Sequence, residues 1–384
     1  MTTENCKINC QICGGECHAI QIHLRDSHPG VTLDQYRDTY PESPTLSEFA
    51  KLKIAEKKKA RVKESAIVIE KEKTEVSLDT DRVVKGMNEV FQLAGGGSGK
   101  SVGIECFTRS DFPELVPEIN EDYVYDEELL KNVLLAFEDN IPILLWGHAG
   151  TGKTSLAKQV CARTGRAFMR VQHTPNSEEC HFLGQWVLRD GHTVFQLGPL
   201  AEAMKYGWVY CADEYDVSRT EVNTVYQSVL EGEPLVIKDA DPANRVIRPH
   251  KNFRFIATGN TNGTGDETGL YQGTNLGNAA NYGRFGMKLK CHYQKRESES
   301  SILQKRCSLI KADADRMIDF ASLIREAYDG GKISSTIDTR ILIFACNIGI
   351  KRGSFRKGVT LSFTNGLSRV DQTIVEGISQ RCFG

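Results

Sequence analysis

Eight consecutive residues, Gly147-His148-Ala149-Gly150-Thr151-Gly152-Lys153-Thr154, have the G-x-x-x-x-G-K-[ST] spacing of a phosphate-binding loop. Glycines at those positions let the backbone curl so that its N–H groups converge on phosphate oxygens. Lys153 can then reach the β- and γ-phosphates, and the Thr154 hydroxyl can ligate Mg²⁺. A second pair, Asp213-Glu214, ends an apolar run that begins at Tyr206. An Asp-Glu after a strand is ordinarily a helix N-cap. Beside a phosphate loop it reads as the other half of a nucleotide-hydrolysis site, with Asp213 on Mg²⁺ through water and Glu214 polarising the attacking water. Asn260 closes the apolar stretch 252–259. Ligands of open α/β sheets bind at the strands' carboxyl ends, so Asn260 is placed to orient water between Glu214 and the γ-phosphate.

A separate constellation lies near the N-terminus. Cys10 and Cys13 are followed after nine residues by His23, and then by His28. Two thiolates and two imidazoles can close a tetrahedral Zn²⁺ site. Cys6, Cys17 and His18 are nearby alternatives, and a redox pair with two surface histidines is the competing reading.

These groups need elements to hold them. Residues 141–146 predict a short buried strand and 155–162 a helix, which gives the loop its strand–loop–helix setting and adds the helix dipole at the phosphates. Further strands are expected at 167–171, 206–214, 252–260 and 287–293. An acid-capped helix is expected at 126–134. Residues 296–350 have helical spacing, and 334–340 open one of those helices. Residues 94–101, with Lys100, satisfy a loosened phosphate-loop pattern. They follow a poor strand and lead into no helix before Pro113, so they read as a flexible linker, and Lys153 is the working lysine.

A chain of 384 residues exceeds one usual core. The expected parts are a zinc-finger module at 1–45, a charged helical or flexible linker at 46–110, an α/β core with a parallel sheet at 111–295, and a small helical lid at 296–384. The linker is rich in Lys and Glu to residue 75 and irregular from 77 to 110. A net charge of −2 excludes a global nucleic-acid signature. No apolar run reaches membrane-spanning length, and the N-terminus lacks a secretory apolar region. Twelve cysteines beside a phosphate loop suit a reducing, cytoplasmic setting with buried thiols and metal ligands better than disulfides.

Residues 111–384 resemble AAA+ ATPases of the MoxR/dynein-related branch, and most closely the CobS family of cobaltochelatase ATPase subunits. The likeness is carried by 146–154, Asp213-Glu-Tyr-Asp216, 246–250, 257–261, 265–271 and the terminal 380–384. It implies an AAA+ P-loop fold and Mg²⁺-dependent ATP hydrolysis in a homo-oligomeric, hexameric ring with nucleotide between subunits. It also implies Walker A at Lys153 and Thr154, Walker B at Asp213 and Glu214, sensor 1 at Asn260, a trans-acting finger at Arg284 and sensor 2 at Arg340. The stretch 184–198, centred on Asp190-Gly191, looks like a hairpin facing the ring pore or a partner, and a protein with a von Willebrand A-type domain is the implied partner. One departure is Gly283, where the family commonly has an acid before the finger arginine; Arg245, Arg248 and Arg254 are competitors. The N-terminal stretch resembles MucR/Ros zinc fingers on Cys10, Cys13, His23 and His28, and replaces the short N-terminal region of CobS.

Three functions follow as expectations. The first is an ATP-driven ring that remodels or activates a partner protein. The second is a zinc-finger nucleic-acid-binding protein with a nucleotide-controlled assembly switch, using Arg25 and Arg37, although Glu16, Asp26, Asp34 and Asp38 dilute their charge. The third, cobalt insertion, requires large subunits that this chain does not contain.

Overall fold

The computed structural model describes residues 7–51, 53, 82–93, 102–265, 274–275 and 277–384. The second glycine-rich stretch with Lys100, most of the 265–271 segment and much of the charged linker lie outside the described residues. The chain divides into two compact units, 1–78 and 79–384.

In the first unit, β1 (Ile8–Asn9) pairs antiparallel with β2 (Glu16–Cys17). The helices Ile20–Ser27 and Leu33–Thr39 follow. Thr32 and Gln35 form a reciprocal capping box that starts the second helix. The core is small: Cys10, Ile20, Leu24 and Tyr36.

The second unit is an α/β P-loop fold with a helical C-terminal part. Its five-stranded parallel sheet has the order β13-β5-β12-β9-β6. The strands are β5 (Ile143–Trp146), β6 (Phe168–Gln172), β9 (Val209–Asp213), β12 (Arg254–Gly259) and β13 (Met287–Lys290). β9 and β12 are buried along their whole length, which is why they read as continuous apolar runs rather than alternating ones. The helix Glu127–Glu138 is started by Asp126, whose carboxylate accepts from the N–H groups of Glu128 and Leu129. It buries Leu130, Val133 and Phe137 against the sheet. The helix Lys153–Thr164 descends from the phosphate loop.

β7 (Gly184–Arg189) and β8 (His192–Leu197) form the hairpin expected at 184–198. Asp190 and Gly191 both have positive φ, which matches the two-residue turns that suit strand twist. The short β10 (Leu235–Val236) and β11 (Val246–Ile247) pair antiparallel further along the chain.

Part of the stretch expected to be irregular is ordered. β3 (Arg82–Gly86) pairs antiparallel with β4 (Gly103–Phe107), and the helix Met87–Phe91 follows β3. Phe91, Ile104 and Cys106 are buried in the same cluster as Leu130 and Phe137. These strands are short, and the glycine-rich stretch between them breaks the alternation that would mark them in sequence.

The C-terminal helices Arg296–Cys307, Lys311–Asp329, Thr339–Arg352, Phe355–Ser362 and Arg369–Phe383 have their own core around Leu303, Phe320, Leu342, Val359 and Val375. Among the described residues no helix is long and apolar enough to cross a membrane.

Candidate functional site

The loop 147–154 joins β5 to the helix Lys153–Thr164, with Gly152 in left-handed geometry at the helix start. Gly147 has φ +144, and a Cβ there would lie 2.2 Å from the Cys291 carbonyl oxygen. Gly150 has φ +73, and a Cβ would lie 2.2 Å from Asp338 Cβ. Both positions therefore demand glycine, for backbone conformation and for space. The Lys153 ammonium donates to the carbonyls of Gly147 (2.7 Å) and His148 (2.9 Å) and to Asn260 Oδ1 (3.1 Å). Burial pulls its pKa below the ordinary lysine value.

β9 delivers Asp213 beside that loop. Thr154 Oγ1 donates to Asp213 Oδ1 at 2.7 Å. Thr258 Oγ1 donates to the same oxygen, and Arg170 Nε donates to Oδ2 at 2.7 Å. Burial pushes the Asp213 pKa up, but the bonds from Thr258, Thr154 and Arg170 outweigh it, and the carboxyl lies below its usual range. Glu214, half-buried at φ +55, accepts from Gln172 Nε2 at 3.2 Å, and its N–H donates to Thr258 Oγ1. The buried Asp216 accepts from the N–H groups of Asn260 and Thr261, both at 2.8 Å, and so fixes the end of β12.

Five expected residues, Lys153, Thr154, Asp213, Glu214 and Asn260, thus meet at the carboxyl ends of β5, β9 and β12. Thr154 and Asp213 present a hydroxyl and a carboxylate to one point, the donor set of a hard cation such as Mg²⁺.

The helical part reaches the loop through side chains. The His148 ring is stacked on Tyr293 at 6.1 Å between centroids, and Tyr293 Oη donates to the Ala149 carbonyl at 3.5 Å. The Arg325 guanidinium lies 3.9 Å from the Tyr293 ring centroid and pairs with the buried Glu299 through two bonds, 2.7 and 2.8 Å. Thr339 Oγ1 donates to Glu299 Oε1 at 2.6 Å, at the first turn of the helix capped by Asp338. Arg340 follows Thr339; it is exposed and makes no hydrogen bond or ion pair among the described residues.

Arg284 is bonded elsewhere. Its Nε pairs with Glu231 at 2.6 Å and its Nη1 donates to the Ala280 carbonyl at 2.8 Å. Of its competitors, Arg245 and Arg248 are exposed. Arg254 is buried at the start of β12, bonded to the carbonyls of Phe137, Lys251 and Phe253. That bonding makes it a structural tie rather than a reaching side chain.

Sequence reasoning missed Arg170, Gln172, Thr258 and the role of Asp216. A third carboxylate in Asp213-Glu-Tyr-Asp216 was a signal for the last. Nothing local marks Gln172, which meets Glu214 because β6 pairs with β9 in the register Gln172↔Asp213.

In the first unit, one ligand atom from each of Cys10, Cys13, His23 and His28 lies within 4.8 Å of the others. A tight turn with bonds Gly14 N to Cys10 O (2.7 Å) and Cys10 N to Gly15 O (2.9 Å) presents the cysteines. Cys13 Sγ is 3.1 Å from His23 Nε2, and His28 Nε2 is buried without a hydrogen-bond partner among the described residues. Those donors fit a tetrahedral cation site. Of the alternatives, His18 is bonded to Ser47 Oγ at 3.0 Å, Cys17 stands outside the cluster, and Cys6 lies outside the described residues.

A phosphate loop ahead of its helix, an Asp-Glu pair on a neighbouring strand and a helical C-terminal part define a P-loop ATPase of the AAA+ class. A family profile for the AAA domain (dynein-related subfamily) matches residues 142–273. The aerobic cobaltochelatase subunit CobS of Sinorhizobium sp is 32% identical over 308 residues, covering 78% of this chain and 90% of that protein. Protein NorQ of Paracoccus denitrificans is 26% identical over 150 residues, 39% of this chain and 52% of NorQ. The von Willebrand factor A domain-containing protein 8 of Mus musculus is 26% identical over 147 residues, 36% of this chain and 8% of that protein. The chain belongs to the dynein-related AAA+ ATPases, the family that includes CobS. ATP and Mg²⁺ are the nucleotide and cation expected of such an enzyme.

Proposed function

We propose that the ATPase works as a homo-oligomeric, hexameric ring that remodels or activates a partner protein, with a zinc-organised N-terminal module as adaptor. The observation that carries the catalytic part is the meeting of Lys153, Thr154, Asp213, Glu214 and Asn260 at the carboxyl ends of the three central strands. In this reading the amides of 147–152 and Lys153 hold the β- and γ-phosphates. Thr154 and Asp213 would hold Mg²⁺, which would supply positive charge against the phosphates. Glu214 polarises water, and Asn260, fixed by Asp216, aligns it. Arg284 leaves Glu231 to reach a neighbour's nucleotide, and Arg340 acts from the lid. Support for Arg340 is that Asp338, two residues earlier, abuts Gly150.

The domain boundaries we favour are a zinc module within 1–45, a linker that ends before β3, a core that runs to 295, and a lid at 296–384. Cys10, Cys13, His23 and His28 hold Zn²⁺. The nucleic-acid reading is the weaker one, because Arg25 pairs with Asp26 at 3.0 Å and Arg37 with Asp34 at 3.7 Å. A partner with a von Willebrand A-type domain is favoured by the relative that carries both modules in one chain.

The test is Glu214→Gln purified with ATP from its native source. It should bind Mg·ATP and lose about 100-fold or more in hydrolysis. Held in the ATP state, it should retain a protein that wild type releases. Recovery of nucleic acid alone, lost when residues 1–45 are deleted, would replace this reading with the zinc-finger one. Recovery of nothing would leave only the ATPase.

A further inference from the structure

A cavity of about 680 Å³ opens between the antiparallel pair β3–β4 and the helix Glu127–Glu138. It lies far from the phosphate loop. Thr164, at the C-terminal end of the loop's own helix, is part of its wall, and twelve helical residues span about 18 Å. Arg166 precedes β6 and Arg254 opens β12, so the cavity sits at the amino ends of the strands, whereas the nucleotide site is at their carboxyl ends.

Its charge is unbalanced. Lys131 and Glu138 offset each other among the lining residues, but three guanidiniums, Arg82, Arg166 and Arg254, share a single carboxylate, Glu105. Glu105 is taken mainly by Arg82 at 2.6 Å, and Arg166 reaches it only at 3.4 Å. Arg166 is 7% exposed, and its Nε has no hydrogen-bond partner among the described residues. Its guanidinium otherwise rests on the Phe107 ring at 4.5 Å. Burial lowers the pKa of Arg166, and it brings Arg254 down to about 10, helped by the positive charges of Arg166 and Arg82. A buried cation that shares its one carboxylate with another arginine is incompletely compensated, and an anion would relieve it. The remaining wall is mostly apolar, with Met87, Ile104, Leu134 and Leu135 among its residues beside Asn132 and Thr164. The volume falls in the range of small-molecule sites.

We infer that this cavity binds a small organic anion, with a carboxylate or phosphate group on Arg166 and an apolar body along the helix Glu127–Glu138. The site is independent of ATP. The anion supplies the charge-assisted acceptor that the unpartnered Arg166 Nε lacks, and the apolar wall selects against bare inorganic ions.

Titration calorimetry on the full chain tests this with octanoate as probe, and with 1-octanol and inorganic phosphate as its two halves. Octanoate should bind one per chain, at least 10-fold more tightly than either half. Arg166→Gln should weaken it by about 10-fold or more, the scale of a hydrogen bond to a charged group. Leu135→Trp, at a half-exposed helix position (47%), should fill the cavity and abolish binding without touching an arginine, which keeps the test valid if Arg166→Gln fails to fold. Lys153→Ala should leave octanoate affinity unchanged. Equal binding of octanol and octanoate, undiminished binding by Leu135→Trp, loss with Lys153→Ala, or no binding at all would each overturn the inference.

Discussion

His173 lies directly behind Asp213, fully buried, with Nδ1 3.2 Å from the Asp213 carbonyl and Nε2 2.8 Å from Tyr226 Oη. Burial holds its pKa at about 4, below the ordinary 6.5. Below pH 6.5 the unfolded chain takes up a proton that the folded imidazole refuses, so stability falls as pH drops from about 6.5 towards 4. By linkage this one group costs about 2 kcal/mol between pH 7 and pH 5. Urea unfolding at both pH values should show that loss in wild type and a smaller one in His173→Gln, even if the variant is weaker at pH 7. An unchanged difference would mean that another group titrates. Residues at this scale were legible where chemistry and sequence spacing coincide: Lys153 and Thr154 in one loop, Asp213 beside Glu214. Arg170, Gln172 and His173 were not, because only the pairing of β6 with β9 brings them to Asp213.

Between elements, Glu299 ties the helix Arg296–Cys307 to Arg325 on Lys311–Asp329 and to Thr339 on Thr339–Arg352. Its side chain is about 1% exposed, so Glu299→Gln leaves the Arg325 cation mostly buried and unpaired. Breaking such a pair typically costs about 3–5 kcal/mol. Hydrogen exchange should accelerate across those three helices while β9 and β12 keep their protection; uniform exchange throughout would show that the pair does not hold this part separately. Strands buried on both sides were readable as apolar runs, and Asp126 and Asp338 mark helix starts by their acceptor oxygens. β3 and β4 were not readable, because each depends on the other for its hydrogen bonds, and only β4 is buried, through Ile104 and Cys106 in the cluster that holds Phe137.

At the scale of the molecule, the two compact units have separate cores, 1–78 and 79–384. Among its described residues the first has four core side chains buried almost completely, Cys10, Ile20, Leu24 and Tyr36, too few to be stable without a staple. A chelator should therefore unfold it and release about one Zn²⁺ per chain, while ATPase activity and the thermal transition of the second unit persist. Metal-free protein that still orders Tyr36 would contradict the zinc assignment. Ring action is tested by mixing Arg284→Ala with Lys153→Ala subunits. Each should be inactive alone, and the mixture should regain activity, since one brings an intact loop and the other an intact arginine. No recovery in verified mixed assemblies would shift the trans role to Arg245 or Arg248.

The turn at Asp190-Gly191 has a practical consequence. A Cβ added at Gly191 would meet nothing within 4 Å, and both turn residues are exposed. Asp190, whose φ is already positive at 51, carries a side chain that points at no other part of the chain by any hydrogen bond or ion pair among the described residues. A photo-crosslinking amino acid installed there would leave the sheet, the loop and the helical part untouched. The hairpin would then act as a ruler of fixed length, and a molecule labelled at its tip only during ATP turnover would be the partner that the proposed function calls for.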